Sequence, residues 1–580
     1  MRRIVLALCA ALALASCSPS VAGAPLTPMS GKRAESDRGM VSASQPDAAA
    51  AGLEILQQGG NAMDAAVATA FALSVTDVSQ TGLGGGGALT FFDARTKRAD
   101  HLSFYPRSGA SPGWAVAAAP GAGTVGRAAG VPGMVAGLLA SQARHGRLTR
   151  AQVMAPAIRL ARDGFTVTPL LSRTIASSAQ RIGTDSIVRL RVLPDGSALR
   201  PGDRLVQPEL AATLQRIADD GVEGFYSGRI ATNLAAKVQA AGGLISADDM
   251  ARYPVATMRP LCTSWRGYTV LSAPPPMGGA PTLEMLNLAD ITGLADAGGF
   301  TDRPAAVTAF ADIHRIATID GSSWRGDPTA QAVPARGVAS RAFAEERARA
   351  IGPRVDSSVV TGDPRPFDAA TPAGACATDP YPAATAATGA MSPLNGDATS
   401  ENESFTSHLS VVDAEGNAVS ATTTVGILFG SGVFTDGFFL NSSAGNFDDR
   451  TRGPDRYTNT TMAPTMVLEG DRVRLVIGAA GSQYIQGATV QVTLRILAYG
   501  EDAGVAVAAP RIQASPRGTD VEVEAGFSSE VYAALVARGY RPSSRAADMA
   551  FGAVHAVHVR RDGKRIGAAD PRRDGAARGQ

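Results

Sequence analysis

A β-strand headed by a threonine is predicted over Thr406-Ser407-His408-Leu409-Ser410-Val411-Val412-Asp413, where polar and apolar side chains alternate. Residues 414–417 are Ala-Glu-Gly-Asn, which is typical of a tight turn, and a returning strand is predicted over residues 418–425. This hairpin should bring Thr422, Thr423 and Thr424 back beside Thr406.

Thr406 is a candidate nucleophile. A threonine hydroxyl reacts poorly unless a base lies beside it, and a free α-amino group on the same residue is the nearest base available. That amine exists only if the chain is cut between Phe405 and Thr406. Residues 353–405 are rich in small residues and proline and are predicted to be a mobile segment or a long loop, as a cleavage site requires. The alternative is that Thr406 is an ordinary β-branched strand residue.

The overall composition excludes some classes of partner. The chain has 580 residues, a net charge of +2 and 64 glycines, and 45% of its residues are hydrophobic. This length allows a large core. The near-neutral charge gives no electrostatic reason to expect nucleic acid or an acidic surface as a partner. The Cys and His residues have no zinc-type spacing, and no metal or organic cofactor is indicated.

The first residues are predicted to be a targeting segment. Arg2 and Arg3 precede the apolar residues 4–14, which are too few to span a membrane. Leu14-Ala15-Ser16-Cys17 has the pattern of a bacterial lipoprotein signal, so residues 1–17 are predicted to be a signal peptide that makes Cys17 the lipidated N-terminus. An ordinary cleaved signal peptide is the alternative.

Export follows from either interpretation of the first residues. We expect a periplasmic protein that is lipid-anchored to the outer membrane, contacts the membrane only through that anchor, and is joined to it by a flexible tether over residues 18–36. An oxidising compartment would permit a disulfide between Cys262 and Cys376. The sequence does not show whether these two residues lie close enough.

A glycine run lies upstream, after a predicted pair of helices over residues 46–58 and 62–76. Residues 82–87 are Gly-Leu-Gly-Gly-Gly-Gly and precede a predicted strand over residues 88–92. A dinucleotide-binding motif needs its glycines after a strand and at the start of a helix, which is the opposite order. Close packing of the backbone is the better explanation of the run.

Together these features resemble the γ-glutamyltransferase (γ-glutamyltranspeptidase) family of the N-terminal-nucleophile hydrolase superfamily, over residues 39–574. The stretches that carry the resemblance lie, in the family's order, at 39–41, 51–56, 59–66, 130–133, 155–158, 274–279, 326–328, the Thr406 strand, 429–432 and 570–572. The resemblance implies an α+β fold of four αββα layers, in which two antiparallel sheets lie between helices. It also implies a large subunit over residues 37–405 and a small subunit over residues 406–580, which are fragments of one precursor.

The same resemblance implies roles for particular residues. Thr406 would attack a small amide or peptide substrate and form an acyl-enzyme ester, and its α-amine would carry the proton. Thr424 matches the family's second threonine, whose hydroxyl would hydrogen-bond the nucleophile's oxygen. Gly481 and Ser482 match the pair whose backbone N–H groups bind the oxyanion. His408 is expected to be a packed strand residue.

The residues that would recognise the acyl group depart from the family pattern. Tyr105 occupies the position of the family's carboxylate-binding arginine, so Arg107, two residues later, is the candidate substitute. Gly426 stands at a family asparagine. In the segment that closes the amino-group site, Ser443 replaces Gln or Glu and Asn446 replaces Asp, which removes a negative charge.

The family's serine pair is represented by Thr460 and Thr461, which keep the hydroxyls. Three interpretations follow. The first is an enzyme that cleaves γ-glutamyl amides, such as a glutathione hydrolase. The second is an acylase for a non-glutamyl amide, for example a glutaryl amide. The third is an inactive, lipid-anchored binding protein.

Overall fold

The structure is a computed structural model that describes residues 31–116, 125–368, 405–447, 452–549 and 551–580. Its strands, in chain order, are β1 (Arg33–Ser36), β2 (Met40–Ala43), β3 (Gly86–Asp93), β4 (Arg98–Phe104), β5 (Phe165–Thr166), β6 (Arg204–Leu205), β7 (Ala256–Met258), β8 (Leu261–Trp265), β9 (Tyr268–Ser272), β10 (Phe405–Val412), β11 (Ala418–Gly426), β12 (Phe434–Thr435), β13 (Phe438–Phe439), β14 (Thr465–Glu469), β15 (Arg472–Ala480), β16 (Ile512–Ala514), β17 (Asp520–Glu524), β18 (Arg541–Arg545), β19 (Ala553–Val559), β20 (Arg565–Ala569) and β21 (Ala576–Gly579).

The helices, in the same order, are α1 (Pro46–Gln57), α2 (Ala62–Thr76), α3 (Met134–His145), α4 (Arg150–Asp163), α5 (Pro169–Ile182), α6 (Ser186–Val192), α7 (Pro208–Asp220), α8 (Glu223–Tyr226), α9 (Gly228–Ala240), α10 (Ala247–Ala251), α11 (Gly279–Ile291), α12 (Pro304–Ser323), α13 (Ala335–Val338), α14 (Arg341–Ala348), α15 (Arg365–Asp368), α16 (Ile485–Thr493), α17 (Ala503–Ala508) and α18 (Ser529–Arg538). Among the described residues, none of these helices has the length and apolar character needed to cross a bilayer.

Two seven-stranded sheets form the centre of the molecule, and every neighbouring pair of their strands is antiparallel. One sheet contains the strand of Thr406, the candidate nucleophile, and is called the nucleophile sheet after it; its order is β21-β2-β10-β11-β3-β4-β7. The facing sheet has the order β1-β20-β19-β15-β14-β9-β8. The predicted hairpin is therefore the central pair of the nucleophile sheet, with Thr406 opposite Thr424.

Each sheet has helices on its outer face. One core cluster joins α1, α2 and α3 to the nucleophile sheet and includes Leu409 and Val411 of β10. A second cluster joins α11, α12 and α16 to the facing sheet. A third, smaller cluster lies between the two sheets, where Val412 and Phe92 meet Met466 and Val476. The described residues thus form the four αββα layers that the sequence predicted.

The hairpin turn is held by one side chain. Asp413 Oδ1 accepts hydrogen bonds from the backbone N–H groups of Glu415, at 2.9 Å, and Asn417, at 3.0 Å. An aspartate side chain is short enough to bond the backbone of its own turn, and this favours a turn over a continued strand at this position. This turn sets the register that places Thr424 opposite Thr406.

The structure corrects two predicted boundaries. The proposed tether, 18–36, ends in strand β1, which pairs with β20 at the edge of the facing sheet. In the segment 353–405, residues 353–368 are held in place: the Gly362 N–H donates to Asp320 Oδ1 at 2.7 Å and the Val355 N–H donates to the Arg538 carbonyl at 2.8 Å. Backbone N–H groups that find partners elsewhere in the fold hold this segment in place in spite of its composition.

Several sequence predictions fall partly or wholly outside the described residues. These are Cys17, the rest of the signal and tether up to residue 30, and the pre-cleavage residues 369–404. Cys262 on β8 is disulfide-bonded. Its partner, for which Cys376 is the predicted candidate, also lies outside the described ranges.

The glycine run packs against the hairpin. A Cβ atom added to Gly85 would lie 2.1 Å from the Thr424 carbonyl oxygen, and one added to Gly87 would lie 2.4 Å from that of Thr422. Both distances are far shorter than a carbon–oxygen contact allows. The interpretation of these glycines as a site of close backbone packing is confirmed.

Candidate active site

Thr406 is the second residue of β10 and lies at the interface between the sheets. It is buried, with 3% of its surface exposed. Its Oγ1 accepts a hydrogen bond of 3.1 Å from the backbone N–H of Gly481, the residue that follows β15 of the facing sheet. The structure thus brings Thr406, Thr424 and Gly481 together, as the sequence predicted.

The loop that contains Gly481 and Ser482 has an unusual backbone. Gly481 has a φ of 127° and Ser482 a φ of 51°, and a left-handed conformation at serine is uncommon. A 3₁₀ turn, Ser482–Tyr484, follows and continues into α16. The N-terminal end of a helical segment carries partial positive charge, which favours an oxygen that becomes negative. This geometry suits an oxyanion site beside the threonine hydroxyl.

Thr424 has a different acceptor from the one predicted. Its Oγ1 donates to the carbonyl oxygen of Phe405 at 2.5 Å and accepts from the Gly426 N–H at 2.7 Å. The chain is continuous between Phe405 and Thr406, so the carbonyl of that peptide bond occupies the space in front of Thr424. In the uncut chain the Thr424 hydroxyl therefore bonds the carbonyl of the predicted cleavage site rather than the Thr406 hydroxyl.

A buried polar network lies behind Thr406, and no sequence pattern predicted it. Arg573 Nη1 donates to the carbonyl oxygen of Thr406 at 2.5 Å and also bonds Gln80 Oε1. Gln80 Nε2 donates to Asp77 Oδ1 at 2.7 Å, and the Ser407 hydroxyl donates to Asp77 Oδ2 at 2.5 Å. The only signal in the sequence was the position of Arg573 directly after the stretch 570–572.

The charges in this network are shifted by burial. Burial raises the pKa of Asp77 to about 6, although the Ser407 hydrogen bond and the positive charge of Arg573 act in the opposite direction. Burial lowers the pKa of Arg573 to about 10, so its guanidinium remains charged at neutral pH. Thr406 thus lies beside a buried cation.

Two of the residues that depart from the family pattern contact each other. Asn446 Nδ2 donates to the hydroxyl of Tyr105 at 3.3 Å. The Asn459 N–H donates to the Asn446 carbonyl at 3.2 Å, and two residues later Thr461 Oγ1 donates to the Ser482 carbonyl at 2.8 Å. A short segment therefore connects the neutral Tyr105–Asn446 pair to the oxyanion loop.

Arg107 already has partners. Its Nη2 lies 3.0 Å from Asp455 Oδ1, its guanidinium carbon lies 5.4 Å from the centre of the Tyr457 ring, and its side chain is 14% exposed. A guanidinium held by a carboxylate and an aromatic face is stabilised where it lies. A substrate carboxylate would have to compete with Asp455 for it.

The two other residues that were predicted to bind substrate, Ser443 and Thr460, are buried. Ser443 is completely buried, and its hydroxyl has no hydrogen-bond partner among the described residues. Thr460 Oγ1 accepts from the Met462 N–H at 3.3 Å, so it stabilises the backbone of its own segment.

Asn441 braces the neighbouring loop, since its Oδ1 accepts from the Gly130 N–H at 2.9 Å and its Nδ2 donates to the Gly84 carbonyl at 2.8 Å.

His408 lies on β10 two residues after Thr406, but it bonds other groups. Its Nδ1 lies 2.8 Å from Thr422 Oγ1, and its side chain is completely buried. The prediction of a packed strand residue is confirmed. In the part of the chain that the structure describes, no three His, Cys, Asp or Glu side chains converge as a metal site would require.

Comparisons with known proteins agree with this geometry. Residues 48–580 match the profile of the gamma-glutamyltranspeptidase family. The acylase ACY 1 proenzyme of Pseudomonas sp. (strain V22) is 33% identical over 567 residues, which covers 94% of this chain and 94% of that protein. The glutathione hydrolase proenzyme of Escherichia coli (strain K12) is 30% identical over 611 residues and covers 99% of this chain and 97% of its own.

Solved structures share the fold as well. The crystal structure of a cephalosporin acylase from Bacillus halodurans superposes with a TM-score of 0.81 at 26% identity, over 95% of this chain and 98% of that one. The similar proteins therefore include both acylases and glutathione hydrolases.

Proposed function

The chain belongs to the γ-glutamyltranspeptidase family, and on that basis we propose that it is a self-processing amidohydrolase or acyltransferase with Thr406 as its nucleophile. The observation that carries this proposal is the hydrogen bond from the Gly481 N–H to Thr406 Oγ1 at 3.1 Å. It places a backbone donor beside the attacking oxygen, next to the site where the carbonyl oxygen of the attacked group becomes negative.

Self-cleavage would use the same hydroxyl on the chain itself. Thr406 Oγ1 attacks the carbonyl carbon of Phe405, the C–N bond of the Phe405–Thr406 amide breaks, and the Thr406 nitrogen takes the hydroxyl proton and becomes a free α-amine as the ester forms. Water then hydrolyses the ester, which releases the Phe405 carboxylate and restores the Thr406 hydroxyl. The Thr424 hydroxyl already donates to the Phe405 carbonyl oxygen at 2.5 Å, so it supports the oxyanion of the first step.

Turnover would then repeat the attack on a substrate amide. The Thr406 hydroxyl transfers its proton to the α-amine, its oxygen bonds the acyl carbon, and the protonated amine protonates the leaving amine. The backbone N–H groups of Gly481 and Ser482 stabilise the oxyanion. Water completes hydrolysis of the acyl ester, or an acceptor amine completes acyl transfer.

Substitution of Thr406 tests the chemistry. Thr406→Ala should remain a single chain on a denaturing gel and lack amidase activity, whereas Thr406→Ser keeps a hydroxyl and should still be cut, more slowly. N-terminal sequencing of the smaller wild-type fragment should begin at Thr406. A wild-type chain that is never cut would refute the proposal and favour an inactive binding protein.

γ-Glutamyl amides, including glutathione, are the first candidate substrates, because a glutathione hydrolase is among the similar proteins. The neutral pair of Tyr105 and Asn446 favours a second candidate. An α-ammonium needs an anionic partner when it is buried, and Asn446 supplies none. We therefore favour an acylase for amides whose acyl group lacks the α-amine, in line with the acylase relative.

Two chromogenic anilides separate these candidates. γ-Glutamyl and glutaryl p-nitroanilide differ only by the α-amino group, so the ratio of their kcat/KM values reports on the amino-group site. We expect the glutaryl anilide to be preferred, and Asn446→Asp to move the ratio towards the γ-glutamyl anilide. A wild-type preference for the γ-glutamyl anilide would restore the first candidate.

We also propose that the protein is exported and lipid-anchored through Cys17, with support from the pattern Leu14-Ala15-Ser16-Cys17. Cys17→Ser should move the protein from the membrane fraction to the soluble periplasmic fraction. Wild-type protein that stays soluble would instead indicate an ordinary signal peptide.

A further inference from the structure

Arg573 is a buried charged group that bonds the backbone of Thr406 directly. It follows β20 in the loop 570–575, and only 3% of its surface is exposed. Nη1 bonds the Thr406 carbonyl, while Nε and Nη2 donate to the Met549 carbonyl at 3.1 and 2.9 Å. The guanidinium is therefore held from two sides, with one edge against the residue that performs the attack.

The loop that carries Arg573 is rigidly anchored. Asp570 Oδ2 accepts from Arg511 Nη2 at 2.8 Å, and Asp570 Oδ1 accepts from Arg572 Nη1 at 3.0 Å. Arg572 also bonds Glu524, and all four of these side chains are at most 1% exposed. Lys32 Nζ donates to the Gly575 carbonyl at 2.7 Å. Because buried ion pairs resist separation, the loop backbone that carries Arg573 cannot move away from Thr406 without breaking this network.

Arg573 is surrounded by groups of both signs. Asp77 is linked to it through Gln80. The other titratable groups that interact with Arg573, through charge or through a hydrogen bond, are Asp548, Asp570, Asp574, Lys32 and His555. Asp570 is already neutralised by Arg511 and Arg572. Among the groups that face it, Asp77 is thus the buried carboxylate that balances Arg573 beside the nucleophile.

A cation at this place has a chemical consequence once the chain is cut. The new α-amine is attached to the same Cα as the carbonyl that Arg573 bonds, so guanidinium and amine lie about 4–6 Å apart, a distance at which like charges disfavour each other. An ordinary α-amine has a pKa of about 7.7–8.0 and is mostly protonated below that range. A protonated amine cannot accept the proton of the threonine hydroxyl.

We propose that Arg573 is a positioning residue for Thr406. It fixes the carbonyl group of the nucleophile, and its positive charge keeps the α-amine of the cut chain in its neutral, proton-accepting form. Asp77 opposes this effect and limits it. The inference rests on the proposed function of Thr406 and adds the group that tunes its base.

The cut wild-type protein provides the first test. The pH dependence of reductive methylation of the Thr406 α-amine, followed with ¹³C-formaldehyde, should give a pKa below the ordinary range, and the acid limb of kcat/KM should titrate with it. An α-amine that titrates at about 8 or above would overturn the proposal. A chain that is not cut at Thr406 refutes the proposed function instead, so the two failures are distinguishable.

Three variants give the sign of the effect. Arg573→Met should move the acid limb of kcat/KM up by about one pH unit, because a repelling charge is lost. Arg573→Lys keeps the charge and should leave the limb near its wild-type position. Asp77→Asn removes the opposing charge and should move the limb down. A purely structural role would lower kcat or stability in these variants without moving the limb, and that result would overturn the proposal.

If Arg573→Met is not cut at all, the Asp77→Asn shift and the wild-type α-amine titration still decide the question. A limb that stays in place in Asp77→Asn, together with an ordinary amine pKa in the wild-type protein, would refute the role of Arg573.

Discussion

In the proposed mechanism, the Thr424 hydroxyl distinguishes the oxyanion site for self-cleavage from the one for turnover. It donates to the carbonyl of Phe405, which exists as an amide only in the uncut chain, while the Gly481 N–H contacts the Thr406 oxygen. After cleavage the Phe405 carbonyl becomes a carboxylate that can leave. The Thr424 hydroxyl would then be released from this bond and become free to bond the Thr406 hydroxyl, as the sequence predicted.

Thr424→Val should slow self-cleavage by about 100-fold to 1,000-fold, the usual cost of losing one oxyanion donor. Valine has nearly the same shape but leaves the buried Gly426 N–H without its acceptor, which should cost about 1–3 kcal/mol, so the stability of the variant is measured together with its cleavage rate. The measurement is the rate at which the single chain becomes two fragments on a denaturing gel. Thr424→Ser, which keeps the hydroxyl, is the control and should be cut at a rate within about tenfold of the wild type, the smaller loss expected when the donor group is retained. Equal rates for valine and threonine would show that this hydrogen bond is not used.

At the level of elements, the contact between β3 and β11 determines where the hairpin lies. These strands pair from Ala418 opposite Phe92 to Thr424 opposite Gly86, and the glycine run continues from that end of the ladder. Gly84 and Gly85 lie against the backbone oxygens of Phe439 and Thr424. A side chain at Gly85 would push β11, and Thr424 with it, away from Thr406, whereas one at Gly84 would meet the backbone of β13.

Gly85→Ala should therefore destabilise the protein by about 1–3 kcal/mol, as overpacking does in other cores, and should slow self-cleavage. Gly82→Ala is a matched control in the same run, because the nearest atom to its added Cβ is a Val425 methyl carbon at 3.7 Å, an ordinary contact. Its stability should be unchanged or slightly higher. Thermal unfolding and the fraction of cut chain measure both effects, and equal behaviour of the two variants would contradict this account.

In the molecule as a whole, much of the layer between the sheets is polar. Serine hydroxyls of the nucleophile sheet donate to carbonyls of the facing sheet: Ser42 to Ala568 at 2.7 Å, Ser410 to His555 at 3.0 Å and Ser420 to Ile477 at 2.9 Å. Small side chains allow the sheets to approach. Gly478 is an example: the His408 ring packs directly over it, and a Cβ atom added to Gly478 would lie 2.3 Å from that ring.

Buried histidines in this layer make stability depend on pH. Burial lowers the pKa of His555 to about 3, whereas the unfolded chain binds a proton near pH 6.5. The contribution of neutral, buried His555 is therefore complete above pH 6.5 and is lost progressively as the pH falls from 6.5 towards 3. At pH 5 the loss is about 2 kcal/mol for this residue.

His555→Gln isolates this effect from those of the other titrating groups. Glutamine can still bond Ser44, which shares a hydrogen bond of 3.1 Å with His555 Nε2. The free energy of unfolding of the variant minus that of the wild type, from urea titrations, should rise by about 2 kcal/mol between pH 7.5 and pH 5. A difference that does not change with pH would mean that folding does not shift the pKa of His555, and would contradict this account.

Much of the fold could be predicted because its signals are local. The hairpin of β10 and β11 follows from strand alternation and a turn centred on Asp413, and α1 and α2 are separated where Gly60 and Asn61 interrupt the helical pattern. The helix–sheet–sheet–helix arrangement followed from the resemblance rather than from these patterns. Composition gave a wrong prediction for residues 353–368. This segment was predicted to be mobile, but the Gly362 and Val355 N–H groups are bound by Asp320 and Arg538.

By itself, the sequence determined the hairpin that places Thr406 opposite Thr424, because strand alternation and a turn lie in one short stretch. The candidate roles of Thr406, Gly481 and Ser482 were predicted from short stretches that resemble the family. Only the tertiary structure decided what surrounds them. Arg573 lies 167 positions after Thr406 and Asp77 lies 330 positions before Ser407, and only the packing of α2, β10 and the loop after β20 makes them neighbours. The same is true of Tyr105 and Asn446, 341 positions apart. Hydrogen bonds between distant segments leave no periodicity in the sequence, so they become visible only when the chain is folded.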